Sequence, residues 1–298
     1  MPTNSFSGFA VLAPAPAKIN LALAVTGRRE DGYHLLDSLV TFTAFGDRIG
    51  LSPAQEDRFT LSGRFSETLA AQGDNLVTRA RDRLRAALEA IGEAAPPVHI
   101  HLEKNLPIAS GIGGGSADAA ATLRGLLSLW QAGVPKSTLD AIAIGLGADV
   151  PMCLAGRPLI ARGIGEEITP LAMPALPMVL ANPLAGVSTP AVFKALASRH
   201  NPPLALAAAP ADWLDAIGRL RNDLEPPARV LCPDIAVLTE KLAATDARVV
   251  RMSGSGATCF ALYRSDEAAE AAAAMLSEQH PHWFFTATRT LGADDGTH

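Results

Sequence analysis

Nowhere in its 298 residues does this chain contain Gly-Lys-Ser or Gly-Lys-Thr, which excludes the P-loop of the common nucleotide hydrolases. Cysteine is scarce as well. The three residues, at 153, 232 and 259, form no Cys-x-x-Cys pair and are odd in number, which predicts buried free thiols in a reducing compartment. Residues 1–17 lack a basic stretch followed by an apolar core, so no secretory signal is read there. Charge is missing from Ile168 to Phe193, but prolines at 170, 174, 177, 183 and 190 and the polar Asn182 interrupt the run. A membrane helix tolerates such interruptions poorly. The expectation is a buried strand at Met178–Ala181 flanked by loops, no membrane association and a cytoplasmic location. Net positive charge is absent too: 25 basic against 30 acidic residues give −5, which argues against non-specific nucleic-acid binding. No internal repeat of fixed period is found.

What is present is ordinary globular material, 48% apolar and 18% charged, in a length that suggests two domains. Strands are predicted at Ala17–Thr26, Leu35–Phe45 and from Val98 to Lys104. Leu76, Ala80, Leu84, Ala87, Leu88 and Ile91 share one face of a helix from Asn75 to Ile91, and Arg79, Arg81, Arg83 and Arg85 read as its solvated side. A further helix is expected from Ser137, as its cap, to Gly145. Prolines cluster at 165–175, which places a boundary between domains 1–168 and 169–298. Beyond it the pattern predicts helices at 190–198, 211–220, 234–244 and 265–278 and strands at 178–181, 247–252, 257–263 and 282–290. Residues 201–210 have linker composition, and the tail after Leu291 is expected to be disordered. Helices on an antiparallel sheet make an α+β arrangement.

The densest signal is Lys104-Asn-Leu-Pro-Ile-Ala-Ser-Gly-Ile-Gly-Gly-Gly-Ser-Ala-Asp-Ala-Ala-Ala121, with glycines at 111, 113, 114 and 115 directly before a run of helix formers. Ser116 or Gly115 reads as the N-cap of a helix over Ala117–Leu129. A strand, a glycine loop and a helix N-terminus in that order suit an anion: backbone N–H groups can approach oxygens, and the helix end adds roughly half a positive charge. Phosphate is the expected guest. A dinucleotide fingerprint is excluded because Ser116 stands where the third glycine belongs. A purely structural glycine turn is the weaker reading, since so many glycines cost chain entropy on folding.

Three other segments stand out. In Pro16-Ala-Lys-Ile-Asn20, Lys18 and Asn20 share one face of a strand. By itself that fits either an edge-strand lysine in solvent or a buried lysine with a partner. In Gly145-Leu-Gly-Ala-Asp-Val-Pro151, Asp149 is either a turn or cap residue or a functional acid. In Arg251-Met-Ser-Gly-Ser-Gly-Ala-Thr-Cys-Phe260, a Ser/Gly loop joins two apolar strands. A hairpin accounts for Gly254 and Gly256 but not for the two serines.

Taken together and in this order, Pro16–Asn20, Leu106–Ala117 and Met252–Ala257 resemble the three motifs of the GHMP kinases, a superfamily of small-molecule kinases. Gly27-Arg-Arg-Glu-Asp-Gly-Tyr-His34, Leu146-Gly-Ala-Asp-Val-Pro151, the triple glycine at 113–115, Asp74-Asn-Leu-Val77, Ala161-Arg-Gly-Ile-Gly-Glu166 and Asn222-Asp-Leu-Glu225 are similar to one branch, which phosphorylates the 2-hydroxyl of a cytidine-diphosphate-linked methylerythritol in isoprenoid precursor biosynthesis. The resemblance covers about residues 13–264. It implies a mixed α/β, two-domain fold with a ribosomal-protein-S5-like N-terminal domain and a ferredoxin-like C-terminal domain, using ATP and Mg²⁺.

Residue by residue, the resemblance makes Asp149 and Lys18 catalytic. Asp149 takes the proton of the hydroxyl, and Lys18 hydrogen-bonds that hydroxyl or Asp149. Ser110, Gly111, Ile112, Gly113, Gly114, Gly115 and Ser116 hold the ATP phosphates, with Pro107 in the same loop and Asn75 and Lys104 near the adenosine. Asn20 orients the substrate. Tyr33 and His34 meet the cytosine, one stacking and the other pairing, with Phe193 as a second stacking face. Thr189, Gly254, Ser255 and Gly256 border the substrate diphosphate. Two positions depart from the usual loop: Ile112 replaces Leu without consequence, and Ala117 replaces a second Ser, removing a hydroxyl. No metal ligand is assigned, and His99 and His101 read as an ordinary strand face. The chain is expected to be a monomer or weak homodimer, with no nucleic-acid partner. The rival readings are another kinase of the superfamily, of homoserine type, and a non-catalytic metabolite sensor.

Overall fold

The structure is a computed structural model and describes residues 6–70, 75–207 and 209–293. In chain order the elements are β1 (Val11–Arg28), β2 (His34–Pro53), β3 (Arg58–Ser62), α1 (Ser66–Ala70), α2 (Leu76–Glu89), β4 (Val98–Glu103), α3 (Gly114–Trp130), α4 (Lys136–Leu146), α5 (Val150–Ala155), β5 (Leu159–Gly163), β6 (Glu167–Pro170), β7 (Pro177–Asn182), α6 (Thr189–Lys194), α7 (Trp213–Gly218), α8 (Glu225–Leu231), α9 (Asp234–Ala243), β8 (Val249–Met252), β9 (Cys259–Leu262), α10 (Asp266–Gln279) and β10 (Phe284–Arg289). No helix among the described residues is long and apolar enough to cross a membrane.

Two compact units emerge, and both are discontinuous in sequence. The first comprises 1–17, 46–108 and 113–155; the second comprises 18–45, 109–112 and 156–298. Long strands β1 and β2 run through both.

In the first unit, Arg48–Pro53 of β2 pairs antiparallel with β4, and β3 lies parallel to β4. Helix α3 packs on α2 and α5. Its small residues Ala119, Ala120 and Ala121 are fully buried, and Gly125 lies against Leu51. Asn75 caps α2, its side chain accepting from Thr78 N at 3.0 Å. The buried stripe of α2 is Val77, Ala80, Leu84 and Leu88, whereas Ile91 lies past the helix end and is exposed. Nor is the basic face purely solvated. Arg85 grips Asp57 with both guanidinium nitrogens at 2.5 and 2.8 Å, and Arg81 lies 3.6 Å from the same carboxylate, because Asp57 ties α2 to β4 through Val98 N. Helix α4 starts behind Pro135 with no side-chain cap, so Ser137 falls inside the first turn.

In the second unit, Leu36–Val40 of β2 pairs antiparallel with β5, and β5 with β6. A separate antiparallel sheet runs β10-β7-β9-β8. With helices between β7 and β8 and α10 between β9 and β10, this is the βαββαβ order of a ferredoxin-like sheet. Its strands β7 and β9 are buried on both faces. Val179, Ala181, Cys259 and Ala261 point to a core with Ile235, Leu238, Leu242 and Leu276, and Met178, Leu180, Phe260 and Leu262 face the other way. All three cysteines are free and buried.

Helix α8 is not among the predicted elements, and its sequence carries Pro226 and Pro227. They occupy its first turn, where no intrahelical N–H is needed. The linker-like stretch is a loop held to the unit by Asn201 N on Val25 O (3.0 Å) and Leu204 N on Asp37 Oδ2 (2.9 Å). The expected disorder of the tail does not extend to Ala293, whose N–H donates to Met173 O at 3.0 Å. Residues 294–298, like Asp74, lie outside the described ones.

Candidate functional site

The glycine loop takes its shape from three left-handed residues, Ala109 at φ 51°, Gly111 and Gly113. Gly113, at φ 62° and ψ 23°, is the N-cap of α3, so the helix begins at Gly114 rather than behind Gly115 or Ser116. A left-handed glycine turns the chain directly into the helix and needs no capping side chain. No side chain caps this end, and the first intrahelical bond is Ala117 N on Gly113 O at 2.8 Å. The amides of Gly114, Gly115 and Ser116 therefore form the positive end of a 17-residue helix. Gly111, at φ 76°, is packed so closely that a Cβ there would stand 2.7 Å from the carbonyl oxygens of Ser253 and Gly256. Successive carbonyls of the loop are engaged within the second unit. Ser110 O accepts from Thr258 N (3.1 Å), Gly111 O from Ser253 Oγ (3.2 Å) and Ile112 O from Lys18 N (2.9 Å). An anion at the loop meets N–H groups while these oxygens are held by other donors.

Within the first unit the loop's exit has close neighbours. A Cβ on Gly115 would lie 3.6 Å from Leu76, next to Asn75, and one on Gly147 would lie 4.0 Å from Ser116 Oγ. Asp149 follows Gly147 in the turn between α4 and α5. It is half-buried, and its carbonyl accepts from Cys153 N at 3.0 Å. Pro107 and Ile112 are buried. Lys104 stands at the loop's entry, but its ammonium does not face solvent. It is 3% exposed and donates to Asp47 Oδ2 at 2.5 Å and to Asp118 Oδ2 at 2.7 Å.

Within the second unit, Lys18 and Asn20 are brought together. Both are buried, and Lys18 Nζ donates to Asn20 Oδ1 at 2.9 Å. An edge-strand lysine in solvent is thereby ruled out. Asn20 Nδ2 donates to Ser38 Oγ (2.7 Å), and Asn20 N to Ser253 Oγ (3.0 Å). A buried polar strand face with this many partners is stable where isolated groups would not be. Residues 253–258 do join two strands as a hairpin. Their serines are employed as well: Ser253 holds Asn20 and Gly111, and Ser255 Oγ lies 2.7 Å from Thr189 Oγ1 at the start of α6. His34 stacks on Phe193, ring centroids 4.6 Å apart and planes at 23°. Burial, then the charges of Arg28 and Arg199, lower the His34 pKa below its ordinary value. Its Nε2 is buried and has no hydrogen-bond partner. Tyr33 beside it is 60% exposed.

Sequence reasoning missed the supporting residues. Asn222 Nδ2 donates to Met252 O (2.8 Å) and Gly254 O (2.9 Å), fixing the hairpin loop from behind. Asp47 and Asp118 engage Lys104. The available signals were the Asn222–Glu225 segment, an acid beside Arg48 in a strand that also carries Asp37, and another acid in an alanine-rich helix.

Comparison with known proteins agrees with the motif pattern. Residues 75–157 match the GHMP kinases N terminal domain and residues 182–282 the GHMP kinases C terminal family. The chain is 59% identical to the 4-diphosphocytidyl-2-C-methyl-D-erythritol kinase of Rhizobium meliloti (strain 1021), over 98% of this chain and 99% of that one. It is 62% identical to the protein of the same name from Rhizobium etli, over 95% and 96%. Among solved structures, one of 4-(cytidine 5'-diphospho)-2C-methyl-D-erythritol kinase superposes with a TM-score of 0.79 at 35% identity, covering 95% of this chain and 100% of that one. Homoserine kinase from Cytophaga hutchinsonii gives 0.63 at 19% identity over 98% and 97%, a likeness of fold. Two family matches in the order of the motifs, and near-complete relatives at about 60% identity, leave one assignment: this chain belongs to the GHMP kinases.

Proposed function

We propose that the protein transfers the γ-phosphoryl group of ATP to the 2-hydroxyl of 4-diphosphocytidyl-2-C-methyl-D-erythritol. The observation that carries this reading is the 59–62% identity, along nearly the whole chain, to relatives bearing that kinase's name. Membership of a kinase family implies use of ATP, and the amide-lined end of α3 behind Gly113 has the chemistry to hold its phosphates. Among the described residues no three His, Cys, Asp or Glu side chains are grouped to hold a metal. Mg²⁺, when bound together with ATP, would neutralise charge on its phosphates.

In the proposed reaction the 2-hydroxyl oxygen bonds to the γ-phosphorus, the bond from that phosphorus to the bridging oxygen of ADP breaks, and Asp149 receives the hydroxyl proton. The transition state is loose, so positioning and charge weigh more than proton removal. The Lys18 ammonium offsets charge on the moving phosphoryl group, and its hydrogen bond to Asn20 supports that role by fixing where the charge sits. Tyr33, His34 and Phe193 take the cytosine; the two rings already stacked in the second unit support a planar guest. Thr189 and Gly254–Gly256 border the diphosphate. Asn75 lies on the adenosine side of the loop. We retain 1–168 and 169–298 as the division between the nucleotide-binding half and the remainder.

The test is ADP release from Mg²⁺-ATP with the cytidine compound, homoserine and mevalonate in parallel. Turnover is expected with the cytidine compound alone. Asp149→Asn should lower kcat by about 10²-fold or more while nucleotide binding persists. Equal turnover with homoserine would overturn the assignment.

A further inference from the structure

Asp47, Lys104 and Asp118 form a buried charged cluster in the first unit to which the proposed reaction gives no task. Lys104 Nζ bridges the two carboxylates at 2.5 and 2.7 Å. Asp47 turns its other oxygen, Oδ1, to the backbone and accepts from Asn105 N at 2.6 Å and Leu106 N at 2.8 Å. Those are the residues that lead into the glycine loop. Asp118 lies on α3, five residues past the cap Gly113, and a Cβ on Gly114 would stand 3.2 Å from the same ammonium. One lysine and two aspartates thus tie the loop's entry to the helix in which it ends.

Stability does not account for the cluster. Burying two carboxyl groups and an ammonium is costly in desolvation, and Asp118 Oδ1 has no hydrogen-bond partner. Apolar side chains of similar volume would hold these elements together at less desolvation cost. What apolar packing cannot do is fix the direction of two backbone amides and the height of a helix end.

We propose that Asp47 and Lys104, the latter joined to α3 through Asp118, are positioning residues for the phosphate-binding loop, holding its two ends at a set separation so that the first-turn amides of α3 are aimed before an anion arrives. This rests on the reading of the loop as the ATP phosphate site. Lys104 then serves the nucleotide through the loop, because its ammonium is already committed to two carboxylates. Burial, partly offset by Lys104, pushes the Asp118 carboxyl well above the usual carboxylate range, so Asp118 is the weaker member of the cluster.

The experiment is calorimetric titration of the full chain with Mg²⁺-ADP, paired with the KM of the acceptor alcohol. Asp47→Asn places an NH₂ donor against either the ammonium or the two amides. It should raise the nucleotide Kd about tenfold or more while the acceptor KM moves less than about twofold. Asp118→Asn keeps an oxygen for Lys104 and should raise Kd less. A cooperatively melting Asp47→Asn with unchanged Kd, or equal losses in nucleotide and acceptor, refutes the positioning role. In case Asp47→Asn does not fold, hydrogen exchange in the wild-type chain gives a second reading. The amides of Asn105 and Leu106 should exchange slowly without nucleotide, and exchange at the rate of an open loop refutes the clamp. Wild-type protein that binds no Mg²⁺-ADP would instead remove the nucleotide reading, and this inference with it.

Discussion

Replacing Gly111 by alanine tests whether the glycine loop is shaped by close packing or is merely pliant. Gly111 sits at φ 76°, which costs a residue with a side chain about 1–3 kcal/mol. Its new Cβ would also meet Gly256 O and Ser253 O at 2.7 Å and Gly256 N at 2.8 Å. All three are backbone atoms, so no rotamer change can relieve the contact. The hairpin loop must move by a few tenths of an ångström, and overpacking of that kind costs about 1–3 kcal/mol more. The sum, about 2–6 kcal/mol, should lower the melting temperature by roughly 2–4 °C for each kcal/mol. Moving that hairpin disturbs Ser253, which holds both Asn20 and Gly111, so nucleotide affinity should fall too. The assay is calorimetric melting together with Mg²⁺-ADP titration. Gly133→Ala is the control, since a Cβ there meets nothing within 4 Å. It should stay within about 0.5 kcal/mol of the parent. Gly111→Ala melting within a degree of the parent, with nucleotide affinity intact, would refute the packing argument.

Two further outcomes follow from single contacts. The Arg85 fork, with help from Val98 N and Arg81, holds the Asp57 carboxyl down to about 2, below its usual 3.8. Its contribution, about 1 kcal/mol after solvent screening, is therefore complete above the unfolded pKa and lost as pH falls towards 2. The urea midpoint of Asp57→Asn should lie below that of the parent at pH 6 and converge with it near pH 2; a gap undiminished in acid contradicts the linkage. Asn222→Ala strands the carbonyls of Met252 and Gly254 and the amide of Leu224, which Asn222 Oδ1 accepts at 3.0 Å. It should cost about 2–3 kcal/mol in denaturant unfolding, and a loss under about 0.5 kcal/mol would show that water replaces the amide.

Much of the fold was legible because it depends on short-range patterns. The 3.6-residue spacing located α2, although Val77 rather than Ile91 completed its stripe. The helix predicted at 265–278 is α10, and Ser265 is its N-cap, accepting from Ala268 N. Alternation found β1, but its true length, Val11–Arg28, exceeded the predicted Ala17–Thr26, because pairing with β2 carries both strands past the point where local pattern stops. Elements supported mainly by neighbours were missed: β6, with one half-buried residue among four, and α8 behind its two prolines.

The sequence by itself determined that a glycine loop opens a helix, that Lys18 and Asn20 share a strand face, and that three motifs stand in the order of a kinase family. Each of these depends on residue identity and local period. Only the tertiary structure decided what those residues touch. It turned the Lys104 ammonium inward onto Asp47 and Asp118, made Gly113 the cap in place of Ser116 or Gly115, and set Ser253 between Asn20 and Gly111. Local sequence cannot specify such contacts, because the partners are 14 to 233 residues apart and meet only once the chain has folded.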